Sequence, residues 1–242
     1  MKFLCLAAIY THSQEWLENL VQCFIDQTHR EATLLILDDR PNEFRYQDPC
    51  RFIPWSVPNV SYAITTNRGN MAHKYNDGLK LAVDISYDAV CIFDDDDHFL
   101  PTHLERHAAV LEKHHWSMPE FILSLYGPAV IRVSPNYLYW SSYAFRREIT
   151  DKHGFGDYGG LGYDQEFVKL CRREYGDPGI MVGSPTYLYN WSGVQEHLSV
   201  TGISYTDTTW SGRVKPAKAT GILEPKIHPT MAWALQEARN YL

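Results

Sequence analysis

Carboxylates follow two apolar runs of the sequence, and their grouping is its most distinctive chemical feature. The aspartate run, residues 94–97, comes directly after the apolar segment 89–93, and Asp38 and Asp39 follow the apolar segment 33–37. Like charges this close repel one another and raise each other's pKa unless a cation is present. Hard cations such as Mg²⁺ and Mn²⁺ prefer carboxylate and phosphate oxygens. The aspartate run therefore favours a divalent-metal site over a merely solvated acidic loop.

The elements that must position these carboxylates alternate between strands and helices. Continuous apolar runs, typical of parallel strands covered on both faces, occupy 3–10, 33–37, 60–65 and 89–93. Apolar residues three and four positions apart predict a helix that begins at Ser13 or Gln14 and further helices over 71–83 and 101–114. This alternation predicts an α/β fold with a mostly parallel central sheet and helices on both faces. The carboxylates at the strand ends should then share one edge of the sheet.

The second half of the sequence is less regular. Strands are predicted over 121–125, 129–133, 137–145, 181–182 and 187–189, and helices over 163–175 and 230–242. Ser, Thr, Gly and Pro are frequent in 192–226, which predicts a long mobile loop. No linker is evident, so a single domain is expected over residues 1–242. Its expected parts are residues 1–115, residues 116–200, and a mobile loop with a C-terminal helix (201–242).

Composition narrows the classes of partner and the compartment. The net charge is −7 and no basic stripe is present, which disfavours nucleic acid as the main partner. The apolar start is interpreted as a strand rather than a signal peptide, and no apolar run approaches the length of a membrane span. The five cysteines are scattered and form no C-x-x-C, so neither a disulfide framework nor a zinc site is expected. A reducing, cytoplasmic location is predicted.

Several segments, taken in order, resemble family 2 glycosyltransferases with the GT-A fold. Residues 94–101 are similar to the D-x-D-D-x-x-x-P segment that carries the DxD motif of that family, and residues 162–166 resemble its G-x-E-D helix start. Further similar segments are 11–17, Gln27, Asp38 with Asp39, 67–69 with 74–78, 145–148 with 154–156, and Arg172 or Arg173 with Gly176. The resemblance covers about residues 3–200 and implies a GT-A fold. It also implies that residues 1–115 form a nucleotide-binding half and residues 116–200 an acceptor and catalytic half.

The resemblance also implies a donor site and a metal. The expected donor is a nucleoside-diphosphate-sugar, with a UDP-sugar favoured, and the expected cofactor is Mn²⁺ or Mg²⁺. Asp96 would ligate the metal, with His197 as a further ligand supplied late in the chain. The implied contacts of the nucleotide-sugar are Thr11, Asp38, Asp39, Asn67, Lys74, Asp94 and Asp95.

The implied reaction is an inverting hexosyl transfer, of class EC 2.4, to an acceptor hydroxyl. Asp164 would act as the general base that takes the proton of that hydroxyl. Glu166 is the rival base, because Tyr163 stands where the family usually has a glutamate. The acceptor could be a glycan, a protein, a small molecule or a modified nucleic acid.

Two other functions remain open at this level. A nucleotidyltransferase on a related sheet would make the nucleotide-sugar, but that class usually has a Gly-rich basic loop after the first strand, and residues 11–15 contain neither glycine nor lysine. The other is a non-catalytic GT-A domain that only binds nucleotide-sugar, against which the retained aspartate run and Asp164 argue. Release of nucleoside diphosphate from a donor discriminates among the three.

Overall fold

Two sheets organise the part of the chain that the computed structural model describes, namely residues 1–9, 14–38, 58–65, 71–126, 129–135, 139–156 and 163–189. The strands of these ranges are, in chain order, β1 (Phe3–Ile9), β2 (Ala32–Asp38), β3 (Val60–Ile64), β4 (Ala89–Ile92), β5 (His98–Phe99), β6 (Trp116–Pro119), β7 (Ile122–Tyr126), β8 (Ala129–Val133), β9 (Ala144–Arg146), β10 (Gly179–Met181) and β11 (Tyr187–Tyr189). The helices are α1 (Gln14–Ile25), α2 (Met71–Leu81), α3 (His103–Leu111), α4 (Arg147–His153) and α5 (Tyr163–Tyr175).

The larger sheet has seven strands in the order β10-β6-β9-β4-β1-β2-β3. Its pairs are parallel except at β9, which runs antiparallel to both β4 and β6. The smaller sheet has the order β5-β11-β7-β8 and is mostly antiparallel. The predicted mixed α/β architecture with a mostly parallel central sheet is therefore confirmed.

Helices cover both faces of the central sheet, as the continuous apolar strands predict. Alternate β1 residues such as Phe3 and Cys5 pack in one core cluster with apolar side chains of α1 and α3. The intervening residues, such as Leu4 and Leu6, pack in a second cluster with side chains of α2, α4 and α5. Successive side chains of a strand point to opposite faces, so two-sided burial requires apolar residues at every β1 position.

Residues 137–145 do not form the predicted single strand. A short 3₁₀ turn, Trp140–Ser142, occupies the middle of that segment and β9 begins only at Ala144. The hydroxyl of Ser142 donates to the carbonyl of Tyr139 at 2.6 Å, and the amide of Ser142 donates to the same carbonyl at 3.0 Å. Local hydrogen bonds of this kind compete with strand pairing, and here they form the turn.

Several other predicted elements can be compared with the structure. The bounds predicted for β8, α5 and β11 agree with the observed ones, whereas α4, β5 and β6 have no predicted counterpart. The predicted loop 192–226 and helix 230–242 lie outside the described residues. The division at residues 115 and 200 stays a prediction. Within the described ranges, every helix is too short or too polar to cross a bilayer.

Candidate active site

Three parallel strands of the central sheet end along one edge. In the register of β1 with β2, Ile9 lies opposite Asp38. The β4 end follows the same direction, because the amide of Phe93 donates to the carbonyl of Leu6 on β1 at 2.8 Å. The structure thus brings Asp38 and the aspartate run to a shared edge, which we call the carboxylate edge.

Hydroxyl groups anchor two members of the aspartate run. Asp94 accepts a hydrogen bond from the Tyr75 hydroxyl at 2.7 Å and another from the Ser141 hydroxyl. The Tyr187 hydroxyl donates to the carboxylate of Asp97, which is buried. Both groups are therefore held in place by side chains from distant parts of the chain, and neither belongs to a freely solvated loop.

The remaining members differ in exposure. Asp95 is 5% exposed, whereas Asp96 is only partly buried and is therefore more accessible from solvent. Asp94 is likewise partly buried, but its carboxylate already accepts hydrogen bonds from two hydroxyls. The position of Asp96 suits the metal-ligand role expected for it from the family resemblance.

The charge of Asp94 is energetically unfavourable in the absence of a cation. Burial raises the pKa of Asp94 to about 7, and repulsion from Asp96 and Asp95 adds to the increase. The hydrogen bonds from Ser141 and Tyr75 partly oppose it. A cation beside the run would favour the ionised carboxylates, because opposite charge lowers the pKa of an acid.

The donor set of the edge fits a hard divalent cation shared with a ligand. Among the described residues, no three carboxylates bring their oxygens within 4.8 Å of one another. A cage made entirely of protein carboxylates is thus absent from that part of the chain. Mg²⁺ is usually bound by one or two carboxylates together with substrate phosphates, and Asp96 with a neighbouring aspartate could supply that number.

Asp38 and Lys74 lie buried at the same edge. The Tyr62 hydroxyl, from β3, donates to the carboxylate of Asp38. Lys74 is 1% exposed, and its ammonium donates to the carbonyl of Ile9, the last residue of β1, at 3.1 Å. A buried ammonium needs anionic or polar partners, so its position favours anions at this edge.

Asp164 lies in the first turn of α5, where it is partly buried. Burial raises its pKa, although hydrogen bonds to the main chain of Gln165 and of Asp164 itself oppose the increase. A carboxylate with a raised pKa is a stronger base near neutral pH. Glu166, the rival base, is exposed and its carboxylate lies 2.5 Å from the Lys169 ammonium. Burial and a raised pKa thus distinguish Asp164 from Glu166, and which of the two is the base stays a prediction.

Aromatic side chains connect Asp164 with the carboxylate edge. The ring of Trp140 makes edge contacts with Tyr75 at 5.4 Å and with Tyr163 at 5.2 Å between centroids. Burial raises the pKa of Tyr163, and the charges of Asp164 and Asp94 both add to that shift. Asp94 and Asp164 thus lie close enough to Tyr163 for each to act on it electrostatically.

Four residues of the predicted site fall outside the described ranges. They are Thr11, Asp39, Asn67 and His197. Their roles, like those of the other predicted site residues, stay predictions.

The hydroxyl donors of the edge were not foreseen from the sequence. Tyr75 has a place on the predicted apolar face of α2, and a buried tyrosine hydroxyl usually has a hydrogen-bond partner. That rule could have indicated from the sequence that the Tyr75 hydroxyl has a polar partner. Ser141, Tyr62 and Tyr187 reach the edge only through the tertiary fold, and no local pattern marks them.

Comparisons with known proteins establish the fold at low sequence identity. No protein-family model and no curated protein matches the sequence. TarS 1-349 from S. aureus superposes with a TM-score of 0.64 at 18% identity, over 78% of this chain and 60% of that one. The TarS 1-349 complex with UDP-GlcNAc gives a TM-score of 0.61 at 16% identity, over 78% of this chain and 58% of that one.

A mannosyltransferase, PcManGT from Pyrobaculum calidifontis, in complex with GDP-Man and Mn²⁺, gives a TM-score of 0.52 at 14% identity, over 99% of this chain and 73% of that one. Of the TarS 1-349 chain, this chain spans about 60% of the length. At such identities the likeness concerns the fold alone. It confirms the GT-A-like α/β fold, which the chain shares with these glycosyltransferase structures.

Proposed function

We propose that this chain is a metal-dependent glycosyltransferase that moves a hexosyl group from a nucleoside-diphosphate-sugar to an acceptor hydroxyl. The observation that carries the proposal is the carboxylate edge of a GT-A-like sheet, where Trp140 packs against both Tyr75, which holds Asp94, and Tyr163, the neighbour of Asp164 in the chain. In parallel α/β sheets, ligands bind beyond the carboxyl ends of the strands, where these residues lie.

The proposed donor site uses the residues of the edge in distinct ways. Asp38 would contact the base or ribose, Asp94 would lie near the ribose, and the ammonium of Lys74 would favour the diphosphate. Asp96 would hold Mn²⁺ or Mg²⁺, with Asp95 beside it. When bound, such a cation supplies positive charge that stabilises the negative charge developing on the leaving diphosphate. The neighbours in complex with UDP-GlcNAc and with GDP-Man support a nucleotide-sugar donor, and UDP-sugars are the first to test.

In the proposed reaction, Asp164 removes the proton of the acceptor hydroxyl as its oxygen bonds to the anomeric carbon. The bond from that carbon to the diphosphate oxygen breaks, and the nucleoside diphosphate leaves with the electron pair. Attack from the face opposite the leaving group inverts the anomeric configuration. The partial burial of Asp164 and its raised pKa support this role.

A donor panel with two matched variants tests the proposal. Release of nucleoside diphosphate from UDP- and GDP-sugars is measured with Mn²⁺ or Mg²⁺ and with mixed glycan acceptors. General-base catalysis typically contributes about 10²–10⁴-fold, so Asp164→Asn should lose transfer to that extent while donor affinity is retained. The control Glu166→Gln, in the same helical turn, should stay within about twofold, as surface changes usually do.

Two results would count against the proposal. Donor binding with no turnover of any donor would leave a nucleotide-sugar-binding domain without catalysis. An active Asp164→Asn beside an inactive Glu166→Gln would transfer the role of base to Glu166. The cytoplasmic location stays a prediction that this assay does not address.

A further inference from the structure

A second polar cluster lies in the core beneath the carboxylate edge. It consists of Cys91 on β4 and of His103 and His107 on α3, all three fully buried. One donor atom from each residue lies within 4.8 Å of the other two, and the Cys91 sulfur is 3.5 Å from Nε2 of His103. The histidines are four residues apart, so they occupy the same face of the helix. We call this group the core cluster.

Hydroxyl groups orient both imidazole rings. Nδ1 of His103 lies 3.0 Å from the Thr186 hydroxyl, and Nδ1 of His107 lies 2.6 Å from the Ser117 hydroxyl. Each ring is therefore held through Nδ1, and its Nε2 is the other available donor. In metal sites, a hydrogen bond to one ring nitrogen fixes the orientation in which the other nitrogen binds the ion.

Among the residues that the structure describes, Nε2 of His107 has no hydrogen-bond partner although it is buried. Nearly all buried polar atoms are paired, so an orphaned ring nitrogen calls for a specific explanation. The main chain of Ser142 is close enough to oppose partly the lowering of the His107 pKa, but it forms no hydrogen bond with this nitrogen. The contact of Cys91 with His103 does not pair this atom and the main chain of Ser142 is at best a poorly aligned partner, whereas a bound ion would satisfy it.

Burial keeps both imidazoles of the cluster in their neutral form. Burial lowers the pKa of His107 to about 3 and that of His103 well below its usual range, so both rings are neutral at physiological pH. Neutral imidazole is the form that coordinates metals. Burial raises the pKa of the Cys91 thiol, which therefore keeps its proton until a cation displaces it.

We propose that Cys91, His103 and His107 form a structural site for one Zn²⁺ ion, separate from the cation of the carboxylate edge and independent of the proposed transfer reaction. Sulfur and imidazole nitrogen are the donors that zinc prefers. Binding forms a zinc–sulfur bond and releases the thiol proton of Cys91 to solvent. The Tyr143 carbonyl, 3.4 Å from the Cys91 sulfur, or a water can complete the tetrahedron.

The site would fasten three parts of the fold. Zn²⁺ would connect α3 with β4, the strand from which the aspartate run emerges. Thr186, which orients His103, directly precedes Tyr187, whose hydroxyl holds Asp97. The core cluster would thus support the base of the carboxylate edge through β4 and Thr186.

Metal analysis of the full chain tests this proposal. The chain is purified without a polyhistidine tag, because such a tag binds zinc itself, and its metals are measured by mass spectrometry. About one zinc per chain is expected from one closed site. Cys91→Ser should reduce this to less than about 0.1 per chain, since the thiolate is one of the protein ligands. The matched control Cys171→Ser alters another buried cysteine, on α5, and should keep its zinc.

Cobalt provides a readout that does not depend on the folding of a variant. Wild-type protein refolded with Co²⁺ should show the near-ultraviolet absorption of a thiolate–Co²⁺ bond. The absence of that absorption, copper in place of zinc, or equal zinc in Cys91→Ser and wild type would each overturn the proposal. Retention of zinc by Asp96→Asn would support it, because it separates the two sites and leaves the transfer proposal to its own test.

Discussion

The carboxylate edge and the core cluster use the same device for different chemistry. At the edge, the hydroxyls of Tyr75 and Ser141 hold the carboxylate of Asp94. In the core, hydroxyls of Thr186 and Ser117 hold two imidazoles. The edge offers oxygen atoms at partial exposure, whereas the core offers nitrogen and sulfur without exposure. Hydroxyl anchoring thus fixes the geometry in both regions, and donor type and access determine which cation each region suits.

The two regions also differ in their response to pH. The pKa of Asp94 is raised to about 7, within the physiological range, mainly by burial and by repulsion from Asp96. The pKa of His107 is lowered to about 3. The edge therefore changes its charge near neutral pH, whereas the core stays neutral there.

Replacing Asp96, a partly exposed aspartate of the carboxylate edge, should have the largest effect on transfer. Asp96→Asn removes a charged metal ligand, and we expect transfer to fall by about 10²–10³-fold, the cost of losing one group that stabilises developing charge. Turnover is measured across a series of Mn²⁺ concentrations, and zinc content on the same sample. Wild-type turnover in this variant, or loss of its zinc, would contradict the separation of the two regions.

Removing a hydroxyl from the core should weaken metal binding with little effect on donor use. Ser117→Ala leaves Nδ1 of His107 without its anchor, and loss of such a partner typically costs about 10–100-fold in metal affinity. Zinc affinity is measured by competition with a chromogenic chelator, and donor KM is measured in parallel. A changed donor KM with an unchanged zinc affinity would contradict the assignment of separate roles to the core cluster and the carboxylate edge.

Removing a hydroxyl from the edge should instead weaken donor use with little effect on zinc binding in the core. Tyr75→Phe deletes a hydrogen bond to a charged group, worth about 1.5 kcal/mol or roughly tenfold in kcat/KM. The Tyr75 hydroxyl lowers the pKa of Asp94, so the acid limb of the pH profile should move to higher pH in the variant. Tyr87→Phe, whose ring contacts Arg147, is the control. An unchanged acid limb in Tyr75→Phe would show that the edge does not depend on this anchor.

The last comparison concerns the stability of the fold, rather than catalysis or metal affinity, as a function of pH. Because the pKa of Asp94 is raised in the folded chain from 3.8 to about 7, folded chains bind more protons than unfolded ones in that range. This contribution to stability is therefore present at low pH and is lost between about pH 4 and pH 7, by up to about 1.4 kcal/mol per pH unit. Asp94→Asn lacks this loss. Without metal, the Tm of the variant should therefore rise relative to that of wild type between about pH 4 and pH 7, by about 2–4 °C for each kcal/mol.

Melting curves at pH 4.5, 6, 7.5 and 9 check this expectation. The Tm difference should grow up to about pH 7 and then stay constant. Saturating Mn²⁺ should reduce the difference, since a bound cation favours the ionised carboxylate. A difference that is constant from pH 4.5 to pH 9 would mean that Asp94 titrates normally.

Much of the fold and the placement of the carboxylates could be predicted from the sequence. Apolar runs such as 89–93 reveal strands buried on both faces, and the acidic residues after them mark the strand ends. Parallel pairing then places those ends together without further information. The segment 137–145 shows the limit, because local hydrogen bonds of Ser142 outweigh a strand-like composition.

A search based on cysteine spacing could not reveal the core cluster. The sequence predicted no zinc site because its cysteines are scattered. His103 and His107 are one helical turn apart, a pattern that was available within the helix predicted over 101–114. Their third partner, Cys91, lies on a strand, and only the packing of α3 against the sheet brings it near. Contacts between elements of this kind leave no periodic signal in a single sequence.

The antiparallel strand β9 has a consequence for the order in which the chain can fold. It lies between β4 and β6, although it is made after both of them. Until residue 146 has left the ribosome, one edge of β4 has no partner strand within the described sheet. An unpaired strand edge is a template for association with other chains. A fragment ending near residue 115 would keep that open edge, so the strands that precede β9 depend on β9 to cover the exposed edge of β4.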